Sequence, residues 1–212
     1  MNSFCFFARF QMIVIFGWMA LSFALAQDPE GGPRTADKQV VLQTRSGTIV
    51  LEVFPEAAPR HVEAFLERVR SGFYVGTTFH RAIPYAIIQG GDPLTKDPAN
   101  RERFGMGGLN ELEAEFNEVK HVRGTVSAVL VPGDVNSAGS QFFICVSDQV
   151  QLDGHYTAFG RVVEGLKVVE KISVQPTDAE QRLLQRVDIL GAHERERPPP
   201  EVPPFSDVSV ED

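Results

Sequence analysis

Residues 79–92 have the sequence FHRAIPYAIIQGGD, and residues 139–144 have the sequence GSQFFI. Together the two segments contribute one arginine, two glutamines and an aromatic pair, but no nucleophile with its base and no set of metal ligands. A fixed cation, amide groups and an aromatic surface suit a reaction in which no covalent bond is made or broken. Rotation about the peptide bond before proline is such a reaction, because its barrier of about 18–20 kcal/mol comes from the partial double-bond character of the amide.

These segments resemble the signature stretches of cyclophilin-type peptidyl-prolyl cis-trans isomerases. The similarity continues through residues 121–127 (HVRGTVS) and 152–165 (LDGHYTAFGRVVEG), so that four separated motifs occur in the family's order and nearly at its spacing. It covers roughly residues 38–192. The resemblance implies a mostly β fold, a closed antiparallel eight-stranded β-barrel capped by two α-helices. It also implies an isomerase that needs no cofactor or metal and acts on proline-containing polypeptides.

Arg81 follows Phe-His, the place of the family's principal catalytic arginine. A guanidinium is always charged and its donors lie in one plane. It can therefore donate to the prolyl nitrogen, which regains its lone pair in the twisted transition state. The resemblance further implies a substrate-binding set in which the amides contact substrate backbone and the apolar members form a slot for the proline ring. This set consists of Gln89, Ile87, Gln141, Phe143, Leu152 and Tyr156.

Without the resemblance, these residues have plainer interpretations. Either glutamine is compatible with a turn or a strand edge, and Phe143 with core packing. Because Phe142 and Phe143 are adjacent, they should point to opposite faces of a strand, so that one is core and one can face a ligand.

The sequence departs from the family's pattern beside this slot. Tyr85 and Ala86 stand where relatives usually have glycine and a phenylalanine, so the large aromatic wall is missing unless Tyr85 fills the gap. Its loss predicts weaker substrate binding, by about 1–3 kcal/mol of apolar burial. A second hypothesis follows, a catalytically weak chaperone or proline-peptide binding module with the same fold. Gln151 replaces the tryptophan of cyclosporin-sensitive members, which predicts poor cyclosporin affinity.

Periodicity by itself indicates a mostly β protein with some helix. Alternating apolar residues at 40–53 predict a hairpin with a turn at Ser46-Gly47. Apolar residues at i, i+3, i+4 and i+7 predict an amphipathic helix over 58–71, and a shorter helix is predicted at 166–172. Short strands are predicted at residues 77–81, 86–89, 125–131, 141–146, 157–161 and 186–190. The polar, glycine-containing connection 93–118 is long enough to form a functional rim.

We expect the chain to divide into a signal peptide (residues 1–26), a linker (27–37), the cyclophilin-like domain (38–192) and a disordered, acidic, proline-rich tail (193–212). An apolar run ending in Ala-Leu-Ala predicts cleavage after Ala26 and export to the periplasm or the cell exterior. The alternative is an uncleaved membrane anchor, since the run is close to the minimum spanning length. The tail's composition also suits recruitment of a partner.

Charge and composition exclude other classes. The net charge is −8, and −9 once Arg9 is removed with the signal, without a basic cluster, which disfavours nucleic acid. None of the five histidines has zinc-ligand spacing with another in a helix. Cys145, the only cysteine after residue 26, is expected to be a small buried residue. We therefore expect a monomeric exported isomerase that acts during protein folding, with no stable membrane insertion after cleavage.

Overall fold

The computed structural model describes residues 36–199. Its regular elements, in chain order, are β1 (Lys38–Thr44), β2 (Gly47–Val53), α1 (Pro59–Arg70), β3 (Thr78–Ile83), β4 (Ile87–Gly90), β5 (Thr125–Ala128), β6 (Phe142–Cys145), β7 (Ala158–Glu164), α2 (Leu166–Ser173) and β8 (Arg182–Glu196). Three short 3₁₀ helices, Pro93–Lys96, Pro98–Arg103 and Val150–Leu152, lie in the connections.

The strands close into a barrel in the order β1-β2-β7-β5-β6-β4-β3-β8, with antiparallel pairing throughout. The predicted eight-stranded antiparallel barrel with two helices is confirmed. Closure leaves no unpaired strand edge along the sheet.

The inside of the barrel is filled by side chains from alternate positions along each strand. In the β1–β2 hairpin, Val40 pairs with Leu51 and Leu42 pairs with Ile49, and all four side chains are fully buried. Each strand turns its alternate residues inward because successive Cβ atoms point to opposite faces. The predicted hairpin is confirmed, but its turn is Arg45-Ser46 and not Ser46-Gly47, because Gly47 is already paired with Thr44 as the first residue of β2.

Helix α1 begins with Pro59, whose fixed φ suits the first helical turn. Val62, Phe65 and Val69 lie on its buried face. The Phe65 ring packs against two other rings, with a centroid distance of 5.8 Å to Phe142 of β6 and 5.3 Å to Phe159 of β7. The helix predicted over 58–71 is confirmed, and its apolar stripe packs against the barrel core. Helix α2 joins the same core on the side of β2, β3 and β4.

Three strands end three or more residues away from the predicted position, and one of them, β7, continues to Glu164 instead of ending at residue 161. Strand β5 ends at Ala128 instead of residue 131, since residues 131–134 form a turn closed by the Val131–Asp134 bridge. Strand β8 continues to Glu196, which is four residues into the predicted tail, because it stays paired with β1 up to Lys38–Glu196. The domain therefore ends later than residue 192. The predicted signal peptide, most of the linker and residues 200–212 of the tail lie outside the described residues.

The connection 93–118 is anchored at its start by Asp92, which is fully buried. One carboxylate oxygen accepts from the Leu94 N–H at 2.8 Å and the other from the Gly105 N–H at 2.6 Å. Gly108 has φ +60°, and a Cβ there would lie 1.9 Å from the Ser140 hydroxyl oxygen. Only glycine allows this close approach. The loop is thus held against the start of β6, beside the predicted site residues.

Candidate active site

The predicted residues meet in one row across three strands. Arg81 of β3 is paired with Gln89 of β4, and Gln89 is paired with Phe143 of β6. Paired residues share a face of the sheet. The neighbouring row, Ala82, Ile88 and Ile144, is fully buried in the barrel core, so the site row faces outward.

The row opens into a cleft of about 640 Å³. Five of the six residues predicted to bind substrate line it together with Arg81: Ile87, Gln89, Phe143, Leu152 and Tyr156. The sixth, Gln141, is 1% exposed and lies behind the cleft surface. The opposite wall comes from two connections that the motifs do not identify, through Phe104, Met106, Leu109, Asn110 and residues 129–132. For residues 104–110 the only sequence signal was the long, glycine-containing connection 93–118.

A chain of amides links the arginine to this wall. Arg81 Nη1 donates to Gln89 Oε1 at 3.3 Å, and Gln89 Nε2 donates to Gln141 Oε1 at 2.9 Å. Gln141 Nε2 in turn donates to the backbone oxygens of Gly105 at 2.9 Å and Gly107 at 2.7 Å. Gln141 therefore supports both Gln89 and the loop.

Arg81 carries its charge without a counterion in the described part of the chain. Among residues 36–199 its guanidinium forms no ion pair, and its two hydrogen-bond acceptors are the amide oxygens of Gln89 and Gln181. Burial lowers the pKa of Arg81 from its usual value, an effect that the Tyr156 hydroxyl partly opposes. An arginine stays protonated in any protein environment. The cleft therefore holds a full positive charge that no carboxylate of residues 36–199 neutralises.

Phe143 forms the apolar floor next to this charge. It is 4% exposed, and the Tyr156 ring stands perpendicular to it at 5.4 Å. Phe142 points into the core instead, where it meets Phe65, Tyr74 and Phe79. The prediction that the two phenylalanines face opposite sides is confirmed.

A buried hydrogen-bonded row, which the sequence did not indicate, lies behind Phe143. The His121 ring stacks on the Phe143 ring, with the two ring centroids 6.1 Å apart and an interplanar angle of 18°. Its Nδ1 is 3.1 Å from Asp153 Oδ1, and its Nε2 is 2.9 Å from Ser127 Oγ. Burial lowers the pKa of His121, although Asp153 opposes the shift. Ser127 is 0% exposed and cannot meet a substrate, so this Asp-His-Ser row supports the floor and is not a nucleophilic site.

The departures from the family pattern lie at the edge of the site. Tyr85 is 64% exposed, has φ 57° and is not part of the cleft, so it does not fill the space expected beside Ala86. Phe104, at the end of Pro98–Arg103, supplies an aromatic side chain to the cleft instead and contacts the His80 ring at 6.3 Å. Gln151 is exposed.

Outside the cleft, residues 36–199 show few features of a functional site. Among residues 36–199, His, Cys, Asp and Glu side chains form no group of three or more that could hold a metal ion. No helix in that range is long and apolar enough to cross a membrane. A second cavity of about 590 Å³, bounded in part by Phe54, Val119 and Val162, contains none of the predicted site residues. Within the described residues, the predicted site residues therefore lie in one cleft or directly behind it.

Comparison with known proteins agrees with this geometry. Residues 39–194 match the family model described as cyclophilin type peptidyl-prolyl cis-trans isomerase/CLD. A peptidyl-prolyl cis-trans isomerase of Arabidopsis thaliana is 36% identical over 163 residues, which covers 76% of this chain and 94% of the relative. A probable peptidyl-prolyl cis-trans isomerase of Brucella abortus is 40% identical over 158 residues, covering 72% of this chain and 76% of the relative.

Solved structures show the same similarity. The crystal structure of a Cryptosporidium parvum cyclophilin type peptidyl-prolyl cis-trans isomerase superposes with a TM-score of 0.67 at 29% identity. The match covers 76% of this chain and 99% of that one. The same protein has also been crystallised in the presence of the dipeptide Ala-Pro, with a TM-score of 0.67.

Proposed function

This chain belongs to the cyclophilin-type peptidyl-prolyl cis-trans isomerases and is an enzyme of that class, and we propose that Arg81 is its catalytic residue. We further propose that it acts on Xaa-Pro bonds of polypeptides during the folding of exported proteins. The observation that carries the catalytic proposal is the uncompensated guanidinium of Arg81 at the edge of a cleft floored by Phe143.

The chemistry of the prolyl bond matches this arrangement. A planar prolyl amide delocalises its nitrogen lone pair into the carbonyl group. When the bond twists, the lone pair returns to a pyramidal nitrogen, which becomes a hydrogen-bond acceptor. A donor aimed at that nitrogen stabilises the twisted state more than either planar isomer, and so accelerates rotation in both directions. The charge of Arg81 acts in a half-buried site, where electrostatic interactions are stronger than in bulk water.

The cleft supplies a place for the proline ring. Phe143 and Tyr156 meet at right angles, and Leu152 and Ile87 add aliphatic surface. A ring held on Phe143 leaves the preceding carbonyl group free to rotate. The side chain of Gln89 has its nitrogen committed to Gln141 and its oxygen to Arg81, so its main contribution is to orient the guanidinium. We expect this site to accept substrates of the Ala-Pro type, the dipeptide with which the Cryptosporidium relative was crystallised.

The catalytic role is tested with Arg81→Ala in an exchange-NMR assay on a short Xaa-Pro peptide. We expect kcat/KM to fall by about 10²–10³-fold, the usual effect of losing a preorganised electrostatic donor. Arg123→Ala is a matched control, because Arg123 is exposed, pairs with Glu170 and lies outside the cleft. Equal activity of Arg81→Ala and wild type would remove Arg81 from the mechanism. If neither protein accelerated exchange but both bound the peptide, the protein would act as a binding module.

The cellular context rests on the first 26 residues. Their apolar run with small residues at positions 24 and 26 supports secretion with cleavage after Ala26. We expect the exported protein to begin at Gln27 when its N-terminus is determined by mass spectrometry. Substituting Ala24 and Ala26 together by leucine should block processing and leave the protein attached to the membrane. Recovery of full-length protein from the cytoplasmic fraction of wild-type cells would contradict the export proposal.

A further inference from the structure

Gln181 lies in the turn between α2 and β8, at 100 positions from Arg81 and outside every motif. Its side-chain oxygen accepts a hydrogen bond from Arg81 Nη2 at 2.5 Å. Gln89 holds the other terminal nitrogen, Nη1. The plane of the guanidinium is therefore fixed from two sides, by residues that come from different parts of the barrel.

The backbone of Gln181 is also fixed to the strand that carries Arg81. Its N–H donates to the Asp178 carbonyl oxygen at 3.1 Å, and its own carbonyl accepts from the Ala82 N–H at 3.0 Å. Gln181 has φ 65°, in the left-handed region, which costs a non-glycine residue of order 1–3 kcal/mol where it is not otherwise compensated. Glycine or asparagine would adopt this backbone more easily, but neither would bring an amide oxygen to Arg81.

The turn is anchored independently of the cleft. One oxygen of Asp178 accepts from the backbone N–H groups of Arg182 at 2.8 Å and Glu180 at 3.2 Å. The other accepts from the Arg101 guanidinium at 2.9 Å. These contacts hold the turn whether or not Gln181 reaches the arginine, so a change in its side chain need not unfold the turn.

From these contacts we propose that Gln181 is a positioning residue of the isomerase, which orients the Arg81 guanidinium through a neutral acceptor and leaves its positive charge available to the prolyl nitrogen. The proposal rests on the catalytic role of Arg81 given above. A carboxylate at this position would hold the guanidinium equally well but would cancel the charge that stabilises the twisted amide. The important property of Gln181 is therefore that its amide is uncharged, and not only that it accepts a hydrogen bond.

The first test separates the side-chain contact from the turn. Gln181→Met keeps the length without the oxygen, and Gln181→Asn relaxes the backbone but is too short to reach Arg81. We expect both to lower kcat/KM about tenfold, the effect of one hydrogen bond to a charged group, mainly through kcat, with little change in KM. Thermal unfolding should show both proteins folded, with Gln181→Asn at least as stable as wild type.

The second test compares Gln181→Glu with Gln181→Met by exchange NMR at pH 7, where a carboxylate paired with an arginine is ionised. At neutral pH the new carboxylate should pair with Arg81 and reduce kcat further than methionine does. Both substitutions remove the amide from the same turn, but only glutamate places a negative charge beside Arg81. A structural defect of the turn would lower kcat equally in the two variants.

The outcomes distinguish this inference from the proposed catalytic role. Full activity of Arg81→Ala overturns both. An impaired Arg81→Ala together with wild-type kcat/KM in Gln181→Met and Gln181→Asn overturns only the role of Gln181. Equal kcat values for Gln181→Glu and Gln181→Met would show that the neutrality of the amide does not matter, and would also overturn the proposal as stated.

Discussion

Gln89 donates a 2.9 Å hydrogen bond from its side-chain nitrogen to the side-chain oxygen of Gln141, and this contact fixes the orientation of both amides. Gln141→Leu should therefore leave three groups unpaired, Gln89 Nε2 and the carbonyls of Gly105 and Gly107. We expect a loss of about 2–3 kcal/mol in the free energy of unfolding and a severalfold fall in kcat/KM, measured by urea unfolding and exchange NMR. Gln151→Leu, at an exposed glutamine bonded to the Gln149 side chain, is the control and should change neither. Equal stability of the two variants would contradict the structural role of Gln141.

The stability of the protein should fall in mild acid. Burial lowers the pKa of His80 to about 4, and neither ring nitrogen has a hydrogen-bond partner among residues 36–199. Because the folded pKa lies below the ordinary value of 6.5, the unfolded chain binds the proton more readily, and stability is lost as the pH falls from 6.5 through 4. The expected loss from this group is about 3 kcal/mol.

Burial lowers the pKa values of His61 and His121 as well, so their effects add in the same direction. Urea unfolding at a series of pH values measures the total. His80→Leu should reduce the slope of unfolding free energy against pH in this window. An unchanged slope in the variant would show that His80 is not the responsible group.

Tyr85 occupies a left-handed backbone conformation with φ 57° while its side chain is largely exposed. Little burial is lost on substitution, and glycine adopts this conformation without steric cost. Tyr85→Gly should therefore stabilise the protein by about 0.5–1 kcal/mol, as a rise in the thermal midpoint. Tyr85→Ala keeps the Cβ and should give no such gain. A destabilised glycine variant would indicate that the tyrosine ring makes a contribution that its exposure does not reveal.

Cys145 should resist alkylation in the native protein. Its side chain is fully buried, and burial, with smaller effects from Asp148 and Asp153, raises the pKa of the thiol to about 12. The thiolate is the reactive species. Iodoacetamide should therefore modify it only after denaturant is added, as followed by intact mass. Rapid modification without denaturant would mean that β6 opens readily.

The sequence predicted the parts of this molecule that depend on local patterns. The β1–β2 hairpin and α1 follow from periodicities within about 15 residues, and both are present. Arg81, Gln89 and Phe143 could be named because each lies within a contiguous motif. The pairing of β1 with β8 and of β2 with β7 had no local signal, since strand partners distant in sequence are selected by the whole hydrophobic pattern.

The sequence did not predict the site residues and contacts whose position depends on pairing between distant parts of the chain. Gln181 reaches Arg81 only because β8 is beside β3, and Phe104 reaches the cleft because Asp92 folds the connection back. The His121–Asp153 contact joins two motifs that no pattern in the sequence connects. Such contacts follow from barrel closure and not from residue type.

Barrel closure also decides how the protein responds to force. Lys38 at the start of β1 pairs with Glu196 at the end of β8, and the Arg197 N–H donates to the Asp37 carbonyl oxygen. Tension applied between residues 36 and 199 would therefore load one antiparallel seam from its end. Its hydrogen bonds would break one after another, from Lys38–Glu196 toward Thr44–Ile189, and not all together. The barrel should unzip at low force in a single-molecule pulling experiment, so a tether at either end would strain this seam before the cleft.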